Sequence, residues 1–174
     1  MSLQLPPSSQ PADLPMEIGH VPHYWVKNIS RSPLVAQDIM DMALSRSGLT
    51  REMLTPTQGT VPYDSEVLLI ENLALLTKDA FIGVELGLDQ CPRHGSILVY
   101  MLFSSSTLGQ ALENLRKFVS IGRPHALLEI TKREDTAHLT INANGPRFHT
   151  ASHYVEFVVA TLLKSLRLAT GKNG

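Results

Sequence analysis

Seven histidines and one cysteine are the residues of this chain with the most chemistry to offer. His149 and His153 stand four apart, the spacing of two metal ligands on one helical face. A metal site needs at least a third ligand, and the metalloprotease pattern H-E-x-x-H needs glutamate where this chain has Thr150. The pair therefore reads as two partly exposed histidines near a helix start, with no metal. Cys91-Pro92-Arg93-His94 places a thiol three residues from an imidazole. Such a pair becomes a nucleophile and its base only when the imidazole lowers the thiol pKa and a third group orients it. The proline between them makes the segment a turn, so the plainer reading is a loop cysteine beside a loop histidine. A small Cys/His enzyme stays open as an alternative, but no catalytic residue is assigned. Gly83-x-x-x-Gly87 lacks the lysine and serine of a phosphate loop, and neither G-x-G-x-x-G nor G-x-S-x-G occurs. No enzyme activity and no cofactor are expected.

Two further features bear on binding. Tyr100 in SILVYMLF and Glu156 in YVEFVVATLL are polar groups set in apolar helices, where burial would demand a partner. Pockets for small molecules are mostly apolar with a few such groups to fix orientation. The plain alternative is a hydroxyl at a rim and a carboxylate facing water. The segment His20-Val21-Pro22-His23-Tyr24-Trp25 is rich in rings. It is expected to dock the N-terminus onto the core, and lining a ligand pocket or stacking on a base is the alternative.

The elements that must position these residues are mostly helical. Ser32-Pro33 is expected to open a helix carrying Ala36, Ile39, Met40 and Ala43, with Gly48 as its left-handed exit. Thr50 should cap a short turn that buries Leu49 and Leu54. Asp64 is expected to cap the next helix, DSEVLLIENLALLTKD, whose acidic first turn (Asp64, Glu66) suits the helix dipole. A shorter piece follows over Ala80–Leu88. Ser96–Phe103 is continuously apolar after its first residue, and helix is favoured over strand because a capped helix follows at once. There Thr107 and Gln110 form a T-x-x-Q capping box ahead of the stripe Leu108, Ala111, Leu112, Leu115 and Val119. The period then switches to two. Leu128 and Ile130 face Leu139 and Ile141 across the turn Arg133-Glu134-Asp135, which predicts an antiparallel hairpin over about 126–142. A long last helix is expected to bury Val155, Val158, Val159, Leu162, Leu166 and Ala169. The fold class is α+β: a helix-rich single domain with a small antiparallel sheet and a long C-terminal helix.

Composition narrows the function classes. A chain of 174 residues can bury a core without disulfides, and one cysteine excludes an internal disulfide. Fifteen basic against sixteen acidic residues give no cationic field for nucleic acid, and Arg116-Lys117, Lys132-Arg133 and Lys164/Arg167 are scattered solvated spots. Residues 1–15 hold four of the eleven prolines and three serines, and read as a disordered tail. Residues 171–174 read as a second tail. The N-terminus has no basic and apolar pattern of a secretory signal, and the run from Val155 to Ala169 is too polar to span a bilayer. A cytoplasmic protein without membrane contact is expected.

The order of segments carries more information than any one residue. The run from Leu34 to Ala169 resembles the N-terminal sensory, or arabinose-binding-like, domain of bacterial AraC-type transcription regulators. EVLLIENLALLTKDAFIGVELG resembles the family's helix and T-x-D-x-x-x-G-x-x-x-G segment, here Thr77, Asp79, Gly83 and Gly87. HGSILVYMLFSSSTLGQALENLRKFV resembles its block G-Y-x-x-x-S-S-x-T-L-x-x-A-L through Tyr100, Ser104, Ser105, Thr107, Leu108, Ala111 and Leu112. Val99 replaces the usual glycine and Ser106 the usual proline, which marks a divergent member. YVEFVVATLLKSLR is similar to the closing E-F-x-x-A helix through Glu156, Phe157 and Ala160. The resemblance implies a sensory domain over residues 16–170 that binds a small-molecule effector of open chemical class and forms a possible homodimer. It implies that DNA is reached only through a C-terminal helix-turn-helix domain missing from this chain, which is then a cut piece or a fragment. Tyr100, Ser104 and Glu156 are the ligand-binding candidates; a pure interaction module is the remaining alternative.

Overall fold

The computed structural model describes residues 19–91, 97–134, 136–143 and 147–171. The proposed N-terminal tail, His94 and the last three residues of the proposed C-terminal tail therefore lie outside the described residues. The first strand, β1 (His20–Pro22), pairs antiparallel with β2 (Thr60–Pro62) and brackets two helices, α1 (Tyr24–Ile29) and α2 (Gln37–Arg46). Then come α3 (Tyr63–Thr77), α4 (Ile82–Asp89), α5 (Ile97–Ser104) and α6 (Leu108–Gly122). The hairpin of β3 (Ala126–Arg133) and β4 (Thr136–Ala143) follows, and α7 (Ser152–Thr170) closes the described chain. The class is α+β, as expected.

Local signals account for several boundaries. Thr107 Oγ1 accepts from the Gln110 amide at 3.2 Å, so the cap of α6 forms as read. The return bond runs from the Ser106 amide to Gln110 Oε1, one residue earlier than a regular box. In the hairpin Leu128 stands opposite Ile141 and Ile130 opposite Leu139, the register that the alternation requires. Gly48 leaves α2 at φ +70°, and the Met53 amide donates to Thr50 Oγ1 over a single 3-10 turn.

Three expectations are corrected. Ser32 does not open α2: its hydroxyl donates to Asp89 Oδ2 at 2.7 Å, a tertiary bond, and the helix begins at Gln37. Asp64 does not cap α3, which begins one residue earlier at Tyr63; Asp64 instead meets Arg147 Nε at 3.2 Å. The fully buried residues of α7 are Tyr154, Phe157, Ala160, Thr161 and Ser165; of the expected face Val155, Val158 and Leu162 are half-buried against the two cores, and Val159 is 48% exposed.

The deep burial of Phe157 and Ala160 has a cause in α4. A Cβ on Gly87 would lie 2.6 Å from the Phe157 carbonyl oxygen and 2.7 Å from the Ala160 methyl, and one on Gly83 would collide with the backbone of His153. The two glycines thus let α4 lie directly on the α7 backbone, at His153, Phe157 and Ala160. Glu71 on α3 fixes the start of the same helix. Its Oε1 accepts from the Tyr154 amide at 3.0 Å and its Oε2 contacts His153 Nδ1 at 2.9 Å. A carboxylate at a helix N-terminus satisfies an orphan amide and complements the dipole. His149 lies apart against the Phe148 ring, and no group of three metal-capable residues occurs among the described residues.

The large core joins α1 to α4 with α7 and centres on Ile29, Leu69, Ile70, Leu73, Leu86 and Phe157. A second, smaller core joins α5, α6 and the hairpin through Leu98, Leu115 and Leu128.

Candidate functional site

Between the two cores lies a cavity of about 130 Å³. From the side of the large core, Tyr24 and Trp25 of α1, Tyr63 of α3 and Tyr154 of α7 line it. From the other side come Leu98 and Leu102 of α5, Leu115 and Val119 of α6, and Leu128 and Ile141 of the hairpin. Apolar and aromatic side chains make up most of the wall. The ring-rich N-terminal segment docks and also lines the cavity: β1 pins it to β2, and Val21, Tyr24 and Trp25 face the cavity.

A buried polar network closes one end. Helix α6 stops at Gly122, and the Arg123 amide still donates to the Val119 carbonyl at 2.8 Å. Arg123 then turns its guanidinium inward, where the residue is only 7% exposed. Its Nη1 donates to Glu66 Oε1, and the same oxygen accepts from the Tyr154 hydroxyl at 2.8 Å. Glu66 is fully buried on the apolar stripe of α3. The guanidinium carbon sits 3.6 Å from the centre of the Trp25 ring, a cation–π contact that fixes the plane of the group. Tyr63 stacks on His125 at 5.2 Å, and His125 Nε2 accepts from the Gly19 amide at 3.1 Å, which leaves the proton of a neutral ring on Nδ1.

Charge and burial set the ionisation of these groups. Burial pushes the Tyr63 hydroxyl up to about 12, and the nearby Glu66 charge adds to the shift. Burial followed by Glu66 also raises Tyr154 well above the ordinary tyrosine value. For Arg123 burial opposes the charge, but Glu66 and the surrounding tyrosines outweigh it and hold the pKa above the usual arginine value. Arg123 is therefore a permanent cation in an apolar wall. Its Nε and Nη2, together with Tyr63 Oη and Glu66 Oε2, are buried without a hydrogen-bond partner.

The three residues expected from sequence lie elsewhere. Tyr100 is 69% exposed, and Ser104 donates to the Met101 carbonyl at 3.3 Å. Glu156 is half-buried on α7, with Oε2 unpartnered. None of the three lines the cavity. Cys91 does line it, while His94 lies outside the described residues. Sequence reasoning held Trp25 as an alternative pocket residue and missed Tyr63, Glu66, Arg123 and Tyr154, which form one site with it. Glu66 carried a signal, because it shares a stripe with Tyr63, Ile70 and Leu73, and a charge on such a stripe requires a buried counterpart. Arg123 carried none, standing after a helix end and 57 residues from its partner.

The family motifs acquire physical roles. Thr77 Oγ1 donates to the Leu73 carbonyl at 2.8 Å and Asp79 Oδ1 accepts from the Phe81 amide at 2.8 Å, which shapes the turn between α3 and α4. Gly83 and Gly87 then serve the α4–α7 contact. No helix among the described residues is long and apolar enough to cross a membrane.

Comparison with known families gives a match over most of the chain. The model of the N-terminal arabinose-binding domain of AraC transcription regulators matches residues 40–174. That span includes Tyr63, Glu66, Arg123 and Tyr154 but not Trp25, which precedes it. No curated protein matches the chain.

Proposed function

Because the chain belongs to the family of N-terminal arabinose-binding domains of AraC transcription regulators, we propose that it is an effector sensor that takes up a small metabolite in the cavity beneath Trp25. The carrying observation is the cavity itself, which joins an apolar wall to a buried arginine with unpartnered donors. Its walls come from two separate cores, so a bound molecule would favour one relative placement of them. A ligand shifts a conformational balance only by its differential affinity for the two states. An attached DNA-binding segment could read that placement. In this reading the chain itself carries no catalysis and no DNA contact, and works in the cytoplasm. Homodimerisation belongs to the same reading, with exposed Val159 and Leu163 on α7 as apolar surface available to it. A single monomeric mass at every concentration in sedimentation would remove that part.

Thermal melts of the chain against amino acids, amines, sugars and organic acids test the sensing role. A ligand at a hundredfold excess over its Kd adds about 2.7 kcal/mol of stability. One chemical class is expected to raise Tm. A cooperative melt that no class moves would overturn the reading.

A further inference from the structure

Arg123 is the one permanently charged side chain lining the cavity among the described residues; no aspartate or glutamate lines it, and Glu66 stands behind the arginine rather than in the wall. A guanidinium offers its donors in fixed pairs, with Nε–H and Nη2–H pointing the same way in one plane. Here Glu66 engages Nη1, Trp25 covers one face, Tyr24 stands beside the guanidinium, and Nε and Nη2 are buried with no acceptor in hydrogen-bonding geometry. The Nε/Nη2 edge matches the two oxygens of a carboxylate. Most of the wall around it, from Leu98, Leu102, Leu115, Val119 and Leu128, is hydrocarbon, and Gln90, Asn142, Thr161 and Ser165 are the small polar residues that also line it. At about 130 Å³ the space is slightly smaller than an apolar cavity of about 150 Å³ that admits benzene.

We propose that Arg123 is the anion subsite of this cavity and that its ligand is a small, otherwise apolar monocarboxylate, of the size of an aromatic-ring or branched-chain acid. The carboxylate takes the Nε/Nη2 edge and the hydrocarbon part lies among the leucines. A sugar fits this wall less well than such an acid, because most of its hydroxyls would face the hydrocarbon that makes up the greater part of the lining. The inference rests on the sensing role proposed above and deepens it.

Calorimetric titration of the chain with benzoate and 4-methylpentanoate, against benzamide, benzyl alcohol, benzylamine and arabinose, decides the matter. The acids are expected to bind at least tenfold more tightly than the alcohol, amide or amine. Neutral or cationic compounds binding as tightly as the acids would overturn the anion subsite while leaving the sensing role intact. Acids that do not bind at all would also overturn it, and the sensing role then stands or falls on the wider panel. Leu102→Trp, which fills the cavity and leaves the Arg123–Glu66 pair in place, is expected to weaken benzoate at least tenfold. Undiminished binding in that variant would place the acid elsewhere on the protein. The double variant Glu66→Gln/Arg123→Gln keeps the site neutral overall and is expected to erase the preference for acid over alcohol. A preference that survives in it would likewise refute the subsite.

Discussion

The two halves of this molecule are packed in different ways. Around α3, α4 and α7 the helices approach so closely that two glycines touch the opposite backbone, and Leu69, Ile70, Leu73, Leu86 and Phe157 are completely enclosed. Around α5, α6 and the hairpin only Leu98, Leu115 and Leu128 form the buried cluster, and each keeps some exposure. The cavity lies where the sparse half meets the dense one. Dense packing leaves a helix pair one arrangement, whereas few buried contacts mean low local stability. The dense half therefore serves as the frame, and the sparse half is the part a ligand can add order to.

The largest effect should come from the network that ties the halves together. Arg123→Ala strands Glu66 as an unpaired buried charge and is expected to cost about 3–5 kcal/mol in denaturant unfolding. A loss below about 1 kcal/mol would show that the pair does not bridge the halves in solution. Matched truncations sharpen the contrast next. Leu86→Ala in the dense half should fall toward the upper end of the roughly 2–5 kcal/mol range for such changes, and Leu128→Ala beside the existing cavity toward the lower end. Equal losses would erase the distinction in packing.

The tyrosines on the dense side of the seam give a pH signature. Below about pH 10 both folded and unfolded chains keep the Tyr63 proton. Between about pH 10 and 12 the unfolded chain releases it first, because the folded value is raised to about 12. Stability should fall through that window by about 2–3 kcal/mol. Tyr63→Phe should lose less over the same window, and equal slopes in the two proteins would contradict the assignment. The smallest effect concerns the sparse half alone. Thr107→Ala removes the cap of α6 and should cost about 1 kcal/mol.

What was legible in the sequence follows the range of the interactions. The cap at Thr107 and the hairpin register depend on neighbours within a few residues and could be read directly. Ser32 also has the form of a cap, but its hydroxyl answers to Asp89, 57 residues away, and α2 starts later. For α7 the aliphatic pattern found Val155, Val158 and Leu162, which pack against the two cores, but not the more deeply buried Phe157, Ala160 and Thr161, which lie against the glycines of α4. Those glycines were visible as a motif, yet only the packing of α7 against them gives the spacing its reason. Tyr100 and Glu156 stood out as polar residues among apolar ones, and the buried charges that line and back the cavity were less conspicuous. Glu66 sat in what looked like an ordinary acidic first turn, and Arg123 became part of a site only through the fold.

Trp25, the single tryptophan, lies between Arg123 and the large core and lines the cavity. Its fluorescence is therefore the most direct reporter of that space. Titration with benzoate should give a saturable change in emission that arabinose at the same concentration does not. A Trp25 signal that stays flat while benzoate binds by calorimetry would place the ligand outside the cavity and contradict the account.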